Sequence, residues 1–548
     1  MKKLMMILPI LSLFILGACS PTETPLECDT GFHEENNICV EDEMDEPDLI
    51  DFSELYPNHG VYYEVFVRSF ADSDGDGVGD FNGITAKLDY LEELGVKGLW
   101  LMPIHPSPTY HGYDVLDYYA VNEEYGTMED FENLLVEAEK RDINIVIDFV
   151  INHSSNENPW FTAWQNSDPE YAGFYRKITS ADSRYSDAPG LWHSMGNGEY
   201  YCGVFGSSMP DLNWSNPVVQ EEMINIALYW MEKGVDGFRL DAAIHLEAEG
   251  EAKPPTIAFE STITKLEYFQ FKIKEVYPDA YIVGEVWDSY TVSSKFFKAM
   301  DSAFNFEIGD EIINAVNSGY AIDYVDTYIN RYSDLIEDYD NPIDAPFLKN
   351  HDQDRLASIF NGNEQKLKLA AEMLLTLPGN PFLYYGEEIG MKGEKTYGPT
   401  VWDETRRLPL LFGDEYETTW FNDAYNNGLD SVAVQLNDDD SLLQTYIDMI
   451  DVRNNSLALT FGDMLAYEEN NSALLGYYRY LFNEGDIIDS VLVLHNISEY
   501  DYPLYIDDYD VLYYSDGAEN FEGSIAPKST VIFAVISYDS LTGDMNEE

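Results

Sequence analysis

The chain has 548 residues, 45% of them hydrophobic and 14% aromatic, so it can build several packed domains and is not mainly disordered. Lys and Arg number 30 against 101 Asp and Glu, which gives a formal net charge of −71 at pH 7. Such a charge repels phosphate backbones and argues against a nucleic-acid partner. It suits an extracellular or salty environment, but composition alone leaves open whether it is a high-salt adaptation or a merely solvated acidic surface.

The N-terminus has the pattern of a bacterial secretion signal. Residues 1–3 include two lysines, and the apolar stretch of residues 4–16 is too short to span a membrane comfortably. The stretch ends at Cys19 in the sequence Leu-Gly-Ala-Cys, which resembles a lipobox, and that resemblance implies a diacylglyceryl group on the cysteine. We therefore expect a signal peptide over residues 1–18 and a lipid anchor on the outer face of the cell membrane. A plain secretory signal with a chance cysteine is the alternative.

Residues 19–54 are predicted to form the anchor and an acidic linker, because residues 40–50 are rich in acids and lack core residues. If Cys19 is lipidated, Cys28 and Cys39 form a natural disulfide pair outside the cell. The fourth cysteine, Cys202, is then expected to be a buried thiol.

From about residue 60 onward, apolar runs alternate with helical patterns such as those of residues 127–141, 217–234 and 363–377. This alternation implies parallel strands joined by helical crossovers. Eight units over roughly 390 residues indicate a (β/α)8 TIM barrel, whereas a doubly wound sheet would be expected to carry a glycine-rich phosphate loop. The predicted strands are Val61–Phe70, Lys97–Met102, Ile143–Val150, Gly237–Asp241, Tyr281–Glu285, Ala303–Phe306, Pro346–His351 and Phe382–Tyr385.

Two further domains are predicted around this barrel. About sixty residues rich in Trp, Tyr, Ser, Asn and Pro follow the third strand, and a structureless loop of that length is improbable. They predict an inserted domain over residues 153–213, which divides the barrel into residues 55–152 and 214–458. Short β-rich runs separated by turn residues then predict a C-terminal antiparallel β-sandwich domain over residues 459–548. The expected fold class is α/β.

Polar residues stand at the ends of four predicted barrel strands, where the chemistry of such barrels is located. They are Asp148, Asp241, Glu285 and, after the seventh strand, Asp352. A single acid at a strand end is most often a cap or turn residue, but four together are difficult to explain in that way.

Two close carboxyls are the requirement for hydrolysis of a glycosidic bond, since one attacks the anomeric carbon and the other protonates the leaving oxygen. Neighbouring strands four and five could place Asp241 and Glu285 at that separation, and Asp352 could stabilise positive charge on the sugar. Arg239 lies two residues before Asp241 and therefore shares its face of the strand. We expect this cation to keep Asp241 ionised.

These segments resemble the conserved regions of the α-amylase family, glycoside hydrolase family 13, from about Gly60 to Met391. The resemblance implies that Asp241 is the nucleophile, Glu285 the general acid/base and Asp352 the stabiliser of the transition state. It also implies a set of substrate-binding residues: Asp148 and Arg239, which hold the nucleophile, His153 and His351 on the sugar, His111 and Tyr113 from the segment that stacks on it, and Arg355 near the stabiliser.

Two structural calcium sites are predicted. Asp72, Asp74, Asp76, Asp80 and the Val78 carbonyl place oxygens at alternating positions that could surround one hard cation. The segment resembles the calcium loop after the first strand in many family members, although an acidic turn without metal is the alternative.

The second site would lie between the barrel and the inserted domain. Asn152, Asp211 and the His245 carbonyl match three ligands of a calcium that many α-amylases hold there. Family members without this ion can retain similar residues.

The segment Met-Pro-Asp-Leu-Asn at residues 209–213 resembles an intermediate group of bacterial α-amylases. Ala242 replaces the Val that is typical of members favouring α-1,6 bonds, and the segment that ends at Trp287 also looks amylase-like. The expected activity is retaining hydrolysis of α-1,4-glucosidic bonds in starch or maltodextrins by a monomer at the cell surface. Two residues depart from the common family pattern, Ile244 in place of Lys and Asp354 in place of Pro.

Three other functions stay open. One is an α-glucosidase or oligo-1,6-glucosidase that acts on short malto-oligosaccharides, and another is transfer of the glycosyl group to a second sugar. The third is a non-catalytic sugar-binding lipoprotein, against which the presence of all three candidate catalytic acids argues.

Overall fold

The computed structural model describes residues 32–35, 38–41, 52–187, 189–246, 256–398, 402–483, 486–504, 510–515, 517 and 520–535. The chain forms two compact units, residues 1–55 and 56–548. In the first unit the strand Phe32–Glu35 pairs antiparallel with Ile38–Glu41, and a short helix spans Phe52–Leu55. Cys19 and Cys28 lie outside the described residues, so the lipid anchor and the disulfide stay predictions.

Eight parallel strands form a barrel in the second unit. In the sheet β1 to β7 are neighbours in sequence order and β8 pairs with β1. A single bridge between Phe347 and Phe382 joins β7 to β8 and completes the ring. This arrangement confirms the predicted (β/α)8 fold. The strands are β1 (Tyr62–Val65), β2 (Gly98–Leu101), β3 (Asn144–Phe149), β4 (Gly237–Leu240), β5 (Tyr281–Gly284), β6 (Ser302–Asn305), β7 (Ala345–Pro346) and β8 (Phe382–Tyr384).

Large aromatic side chains fill the inside of the ring. Tyr62 stacks on Phe382 with ring centroids 5.1 Å apart, and Trp100 lies 5.2 Å from Phe304. Both faces of the strands are buried, because the helices cover the outside while these rings pack within. This double burial explains why the strands read as continuous apolar runs.

The helices around the barrel begin at residues that cap the free backbone amides. Thr127 forms a capping box with Asp130, and Asn216 and Asn363 cap the helices that follow them. Within the described part of the chain, no helix combines the length and apolar character needed to cross a membrane. The helices of this unit are Val67–Phe70, Phe81–Ala86, Leu88–Leu94, Met128–Glu139, Pro159–Gln165, Ser183–Asp187, Pro217–Lys233, Thr256–Lys274, Tyr290–Ser293, Phe306–Ser318, Tyr324–Asp338, Leu356–Ile359, Glu364–Leu375, Val432–Gln435, Leu442–Asn454 and Leu457–Phe461, with short 3-10 turns at Glu123–Tyr125, Pro169–Tyr171, Pro189–Leu191, Ala243–His245, Ser294–Lys298 and Glu404–Arg406.

The insertion after β3 contains a small antiparallel sheet in which Glu199–Cys202 lies between Lys177–Thr179 and Trp192–Ser194. Cys202 is a buried thiol, as expected from the sequence.

The C-terminal part contains a five-stranded antiparallel sheet and a separate two-stranded pair, in agreement with the predicted antiparallel β domain. In sheet order the five strands are Asp463–Ala466, Leu474–Asn483, Asp486–Asn496, Ser529–Ala534 and Asp510–Tyr514, and the pair is Tyr502–Pro503 with Ser524–Ile525.

Two strands end five residues earlier than the sequence predicts, whereas the other six end one residue earlier. The first was expected to reach Phe70, but it stops at Val65 and the chain turns into the helix Val67–Phe70. All of these residues are buried, including the polar Arg68 and Ser69, so burial is continuous through the turn. The seventh was expected over Pro346–His351, but only Ala345–Pro346 is strand, followed by the single bridge at Phe347.

Candidate active site

Three acidic side chains at the ends of β3, β4 and β5 share one buried cation. Arg239 Nη1 donates to Asp148 Oδ1 at 2.9 Å and to Asp241 Oδ1 at 2.7 Å. Its Nη2 lies 2.9 Å from Glu285 Oε2, which also accepts a hydrogen bond from the Ala242 amide at 2.9 Å. One guanidinium therefore holds all three carboxyl groups within hydrogen-bonding distance of itself.

The strand register produces this grouping. Arg239 on β4 lies directly opposite Asp148 on β3 and Val283 on β5, so its side chain projects beside the ends of both neighbours. Immediately after Asp241 the backbone turns at Ala242, which has a left-handed φ of 49°. Residues other than glycine rarely adopt this backbone conformation, and backbone strain of this kind is concentrated at functional sites.

A second chain of alternating charges extends from β1 to the mouth of the barrel. His351 Nδ1 bonds to the carboxylate of Glu64 on β1, and His351 Nε2 lies 3.3 Å from Asp352 Oδ2. Arg407 Nη2 donates to Asp352 Oδ1 at 2.9 Å. The Asp352 side chain is 35% exposed, whereas that of Glu64 is 2% exposed, so Asp352 is the member of this chain that faces the cleft.

Tyr113 joins the two charged groups. Its hydroxyl donates to Asp148 Oδ2 at 3.0 Å and lies 2.7 Å from His351 Nε2. Its ring stacks on His351 with centroids 5.6 Å apart, and the His111 ring stacks on Tyr113 at 6.0 Å. Trp100 supports the same carboxylate from below, since its Nε1 donates to Asp148 Oδ2 at 3.2 Å.

The three carboxyl groups around Arg239 cannot all be ionised easily. Burial raises the pKa of Asp241 to about 7, against the opposing attraction of Arg239. Burial also raises the pKa of Asp148 and of Glu285, whose neighbours Asp241 and Asp352 add to the effect. Arg239 contacts Asp241 as the sequence predicts, but desolvation outweighs the cation, and near neutral pH the group can hold a proton.

The second group is charged at neutral pH. Although burial acts in the opposite direction, the carboxylates of Asp352 and Glu64 raise the pKa of His351 to about 9. Likewise, burial opposes ionisation of Asp352, yet His351, Arg407 and Arg239 hold its pKa well below the usual range. His351 is therefore a cation and Asp352 an anion.

His153 lies at the edge of the insertion. Burial lowers its pKa to about 3, so the ring is neutral at pH 7. Its Nε2 is buried and, among the described residues, lacks a hydrogen-bond partner. The ring centroid is 5.1 Å from that of Phe205, a 44% exposed side chain of the insertion. His153 is thus able to bond a polar group of a ligand.

Arg355, which was predicted to lie near Asp352, hydrogen bonds to two backbone carbonyls. Its Nε donates to the Arg406 carbonyl at 2.7 Å and its Nη1 to the Tyr385 carbonyl at 2.6 Å. Its guanidinium lies over the rings of Tyr384 and Tyr385. The arginine bonded to the Asp352 side chain is Arg407.

Sequence reasoning missed Glu64, Trp100 and Arg407. Glu64 had a usable signal, because it is the single charged residue in the apolar run of β1. Trp100 had none, since an aromatic residue in a buried strand is ordinary core. Arg407 had none either, because it lies in an irregular segment after β8.

The acidic loop after β1 groups carboxylates as predicted. Oxygens of Asp72, Asp74 and Asp80 lie within 4.8 Å of one another. Amides of Gly75 and Gly77 donate to Asp72 at 2.7 Å and fold the loop around its carboxylate. The side chain of Asp76 accepts from the Val78 amide at 2.8 Å and lies outside this group of three. Three hard oxygen donors in one loop fit a calcium ion.

The second predicted set is partly bonded within the protein, and Asn152 Oδ1 is buried without a hydrogen-bond partner among the described residues. Asp211 already accepts hydrogen bonds from the Asn152 amide group, the Val204 amide and the Cys202 thiol, each at 3.2 Å. Burial raises the pKa of Asp211 to about 6. His245 lies near this region, with its ring 5.5 Å from that of Phe205.

Asp241 and Glu285, two of the three carboxyl groups on the Arg239 guanidinium, and the ionised Asp352 can supply the nucleophile, proton donor and charge stabiliser of glycoside hydrolysis. The family description "Alpha amylase, catalytic domain" matches residues 64–462. Alpha-amylase 3 of Dictyoglomus thermophilum is 38% identical over 498 residues, which cover 88% of this chain and 95% of that protein. A 4-alpha-glucanotransferase of Thermotoga neapolitana is 34% identical, covering 80% and 96% of the two chains. A crystal structure of the α-amylase from H. orenii superposes with a TM-score of 0.75 at 38% identity, covering 87% of this chain and 99% of that one. The chain therefore belongs to the α-amylase family, glycoside hydrolase family 13, and is a glycosidase.

Proposed function

We propose that the protein is a retaining α-amylase that hydrolyses α-1,4-glucosidic bonds of starch or maltodextrins at the cell surface. The observation that carries this proposal is the position of Asp241 and Glu285 on adjacent strands, bonded to the two terminal nitrogens of Arg239. Retaining glycosidases need two carboxyl groups about 5–5.5 Å apart, and a shared guanidinium enforces a short separation.

In the proposed mechanism Glu285 protonates the glycosidic oxygen while Asp241 attacks the anomeric carbon, so the C–O bond to the leaving sugar breaks as the bond to Asp241 forms. Glu285 then removes a proton from water, which attacks the same carbon and releases Asp241. The raised pKa of Glu285 favours its protonated form, and Asp241 becomes competent as pH rises through its pKa of about 7. The ionised Asp352 faces the positive charge that develops on the sugar.

Neutral and aromatic groups around these acids suit a sugar. His153 offers an unpartnered ring nitrogen, and Tyr113 and His111 present stacked rings beside the acids. Trp287, two residues after Glu285, is 49% exposed and stacks on Phe306 with ring centroids 4.8 Å apart. A fixed, exposed ring at this point can pack against the apolar face of a sugar on the leaving-group side.

The proposal includes one structural Ca²⁺ in the loop of Asp72, Asp74 and Asp80. The ion would neutralise three clustered carboxylates and fix the loop against the segment of residues 416–419, to which it is joined by two backbone hydrogen bonds. Because Asp211 is already bonded by protein donors, the second predicted site is left out of the proposal.

The proposal also includes a lipid anchor on Cys19 and a monomeric state, which rest on the sequence pattern. Incorporation of labelled palmitate that is lost in the Cys19→Ser variant would support the anchor. Equal labelling of both proteins would contradict it. Light scattering of the purified protein would decide the oligomeric state.

The test of the activity is a product time course with soluble starch, maltotriose and isomaltose. Rapid fragmentation of starch into mixed maltodextrins supports the α-amylase proposal. Glucose released mainly from the short sugars would indicate a glucosidase instead, and no turnover of any of them would indicate a sugar-binding protein. Transfer is the second candidate, which the likeness to the 4-alpha-glucanotransferase favours. Products longer than the maltotriose supplied would reveal it.

A further inference from the structure

Arg407 is the arginine bonded to the Asp352 side chain, so its position matters for any reaction that uses this carboxylate. The guanidinium is almost fully buried, and its Nε also donates to the His351 carbonyl at 3.3 Å. The residue directly follows the 3-10 turn Glu404–Arg406, and its amide donates to the Glu404 carbonyl at 3.0 Å, but this turn does not hold the Arg407 carbonyl. Something else must hold it.

A buried hydroxyl does so. Ser69, which is fully buried in the short helix after β1, donates from Oγ to the Arg407 carbonyl at 2.5 Å. The same Oγ accepts a hydrogen bond from Trp420 Nε1 at 2.6 Å. Because an indole nitrogen can only donate, the Ser69 hydroxyl accepts from Trp420 and donates its own proton to the Arg407 carbonyl. We call these two consecutive hydrogen bonds the relay.

Trp420 also reaches the other end of Arg407. Its ring stacks on Tyr110, with centroids 5.6 Å apart and planes 23° from parallel. The Arg407 guanidinium lies over Tyr110, the other ring of this stack, 5.7 Å from its centroid. Phe66 packs edge-on against the Trp420 ring at 5.8 Å and fixes it from the barrel side.

We propose that Trp420 and Ser69 are positioning residues that hold Arg407 against Asp352, Trp420 acting on the backbone of Arg407 through the Ser69 hydroxyl and on its side chain through Tyr110. This inference rests on the proposed function, in which Asp352 stabilises the transition state. Loss of the relay frees Arg407 to shift, so the Asp352 carboxylate is less well oriented. The transition state, which carries the positive charge, then loses more stabilisation than the bound substrate does.

The chain supplies a matched control for the hydroxyl. Ser302 Oγ, also fully buried, accepts from the Tyr281 hydroxyl at 2.8 Å and donates to the Ile343 carbonyl at 2.6 Å. This is the same kind of relay, but it lies at the start of β6, at the opposite end of the barrel from the acids. Ser302→Ala removes an equivalent pair of hydrogen bonds without touching Arg407.

The experiment compares Ser69→Ala, Trp420→Phe, the double variant and Ser302→Ala with the wild type on maltoheptaose, with melting temperatures recorded for each. We expect kcat to fall about tenfold in either single relay variant, with KM changed by less than about twofold, as for a lost transition-state interaction. The double variant should be no slower than the worse single variant, because both remove one relay. Ser302→Ala should lower the melting temperature but keep the wild-type kcat.

Equal kcat in Ser69→Ala and Ser302→Ala, or additive losses in the double variant, would overturn the relay and leave Trp420 and Ser69 as packing residues. If the wild type cleaves no α-glucan, the proposed function fails, and the relay is then tested by calorimetric binding of 1-deoxynojirimycin, a cationic sugar analogue. The relay predicts about tenfold weaker binding by Ser69→Ala than by Ser302→Ala. Equal binding, or none by the wild type, would overturn it.

Discussion

Replacement of Arg239 by lysine tests whether this cation controls the ionisation of Asp241 in the candidate active site. Arg239 bonds to Asp148, Asp241 and Glu285 through a planar fork. A lysine keeps the charge, but its single ammonium is compact and cannot span three carboxyl groups that surround a guanidinium. We take two of the charge-assisted hydrogen bonds as lost, and each contributes about 1.5–3 kcal/mol.

That loss amounts to about 3–6 kcal/mol, which predicts a fall in kcat/KM of about 10²- to 10⁴-fold. It also predicts a shift in the pH profile. Asp241 acts as an anion and its pKa is already about 7, so the wild-type rate should fall as pH drops through this value. A weaker cation raises this pKa further, so the acid limb of the Arg239→Lys variant should move to higher pH.

Initial rates on maltoheptaose from about pH 4 to about pH 9 give kcat/KM profiles that report the ionisation of the free enzyme. The matched control is Arg331→Lys, because Arg331 bonds to Glu307 and Glu311 between two outer helices, away from the acids. Two results would refute the assignment of Arg239 as the cation that lowers the pKa of Asp241. One is an acid limb of Arg239→Lys at the wild-type pH, and the other is a kcat/KM of Arg239→Lys within about threefold of that of the control.

Four further results are expected. Asp241→Asn and Glu285→Gln should each abolish nearly all hydrolysis of maltoheptaose while circular dichroism stays unchanged, and substantial turnover by either would contradict the proposed roles. EDTA should lower the melting temperature and added Ca²⁺ restore it, whereas an unchanged melt would argue against the calcium loop. Burial raises the pKa of Glu372 from 4.5 to about 7, so the folded protein favours the protonated carboxyl. Its contribution to the free energy of unfolding is fully present below pH 4.5 and is lost as pH rises through 7. Glu372→Gln should therefore raise the free energy of unfolding in urea at about pH 9 by about 3 kcal/mol and have little effect at about pH 5; no gain at alkaline pH would refute this. Activity should persist or rise in molar salt if the net charge of −71 is a high-salt adaptation, and inactivation there would exclude it.

The sequence located the barrel well because buried parallel strands give long apolar runs. Every predicted strand contains or overlaps an observed one, and the acids at the ends of β3, β4 and β5 converge as expected. The bounds were less accurate where burial is continuous, as at Phe66–Phe70, since hydrophobicity cannot show where a buried strand becomes a buried turn. The direction of the Asp241 pKa was also missed, because desolvation depends on how many groups cover the carboxyl and not on its neighbours in sequence.

Two of the contacts around the site join residues that lie far apart along the chain. His351 bonds to Glu64 across 287 residues, and Ser69 bonds to Trp420 across 351. Closure of the barrel produces both contacts, since the pairing of β8 with β1 brings the end of the barrel sequence against its beginning. A motif search treats each segment separately and cannot predict contacts between segments so far apart in the sequence. The segment after β8 therefore completes the site beside β1, and because it is irregular it can vary without disturbing the barrel. Arg407 and Trp420 enter the site from this segment, whereas the acids at the ends of β3, β4 and β5 are fixed by the sheet itself.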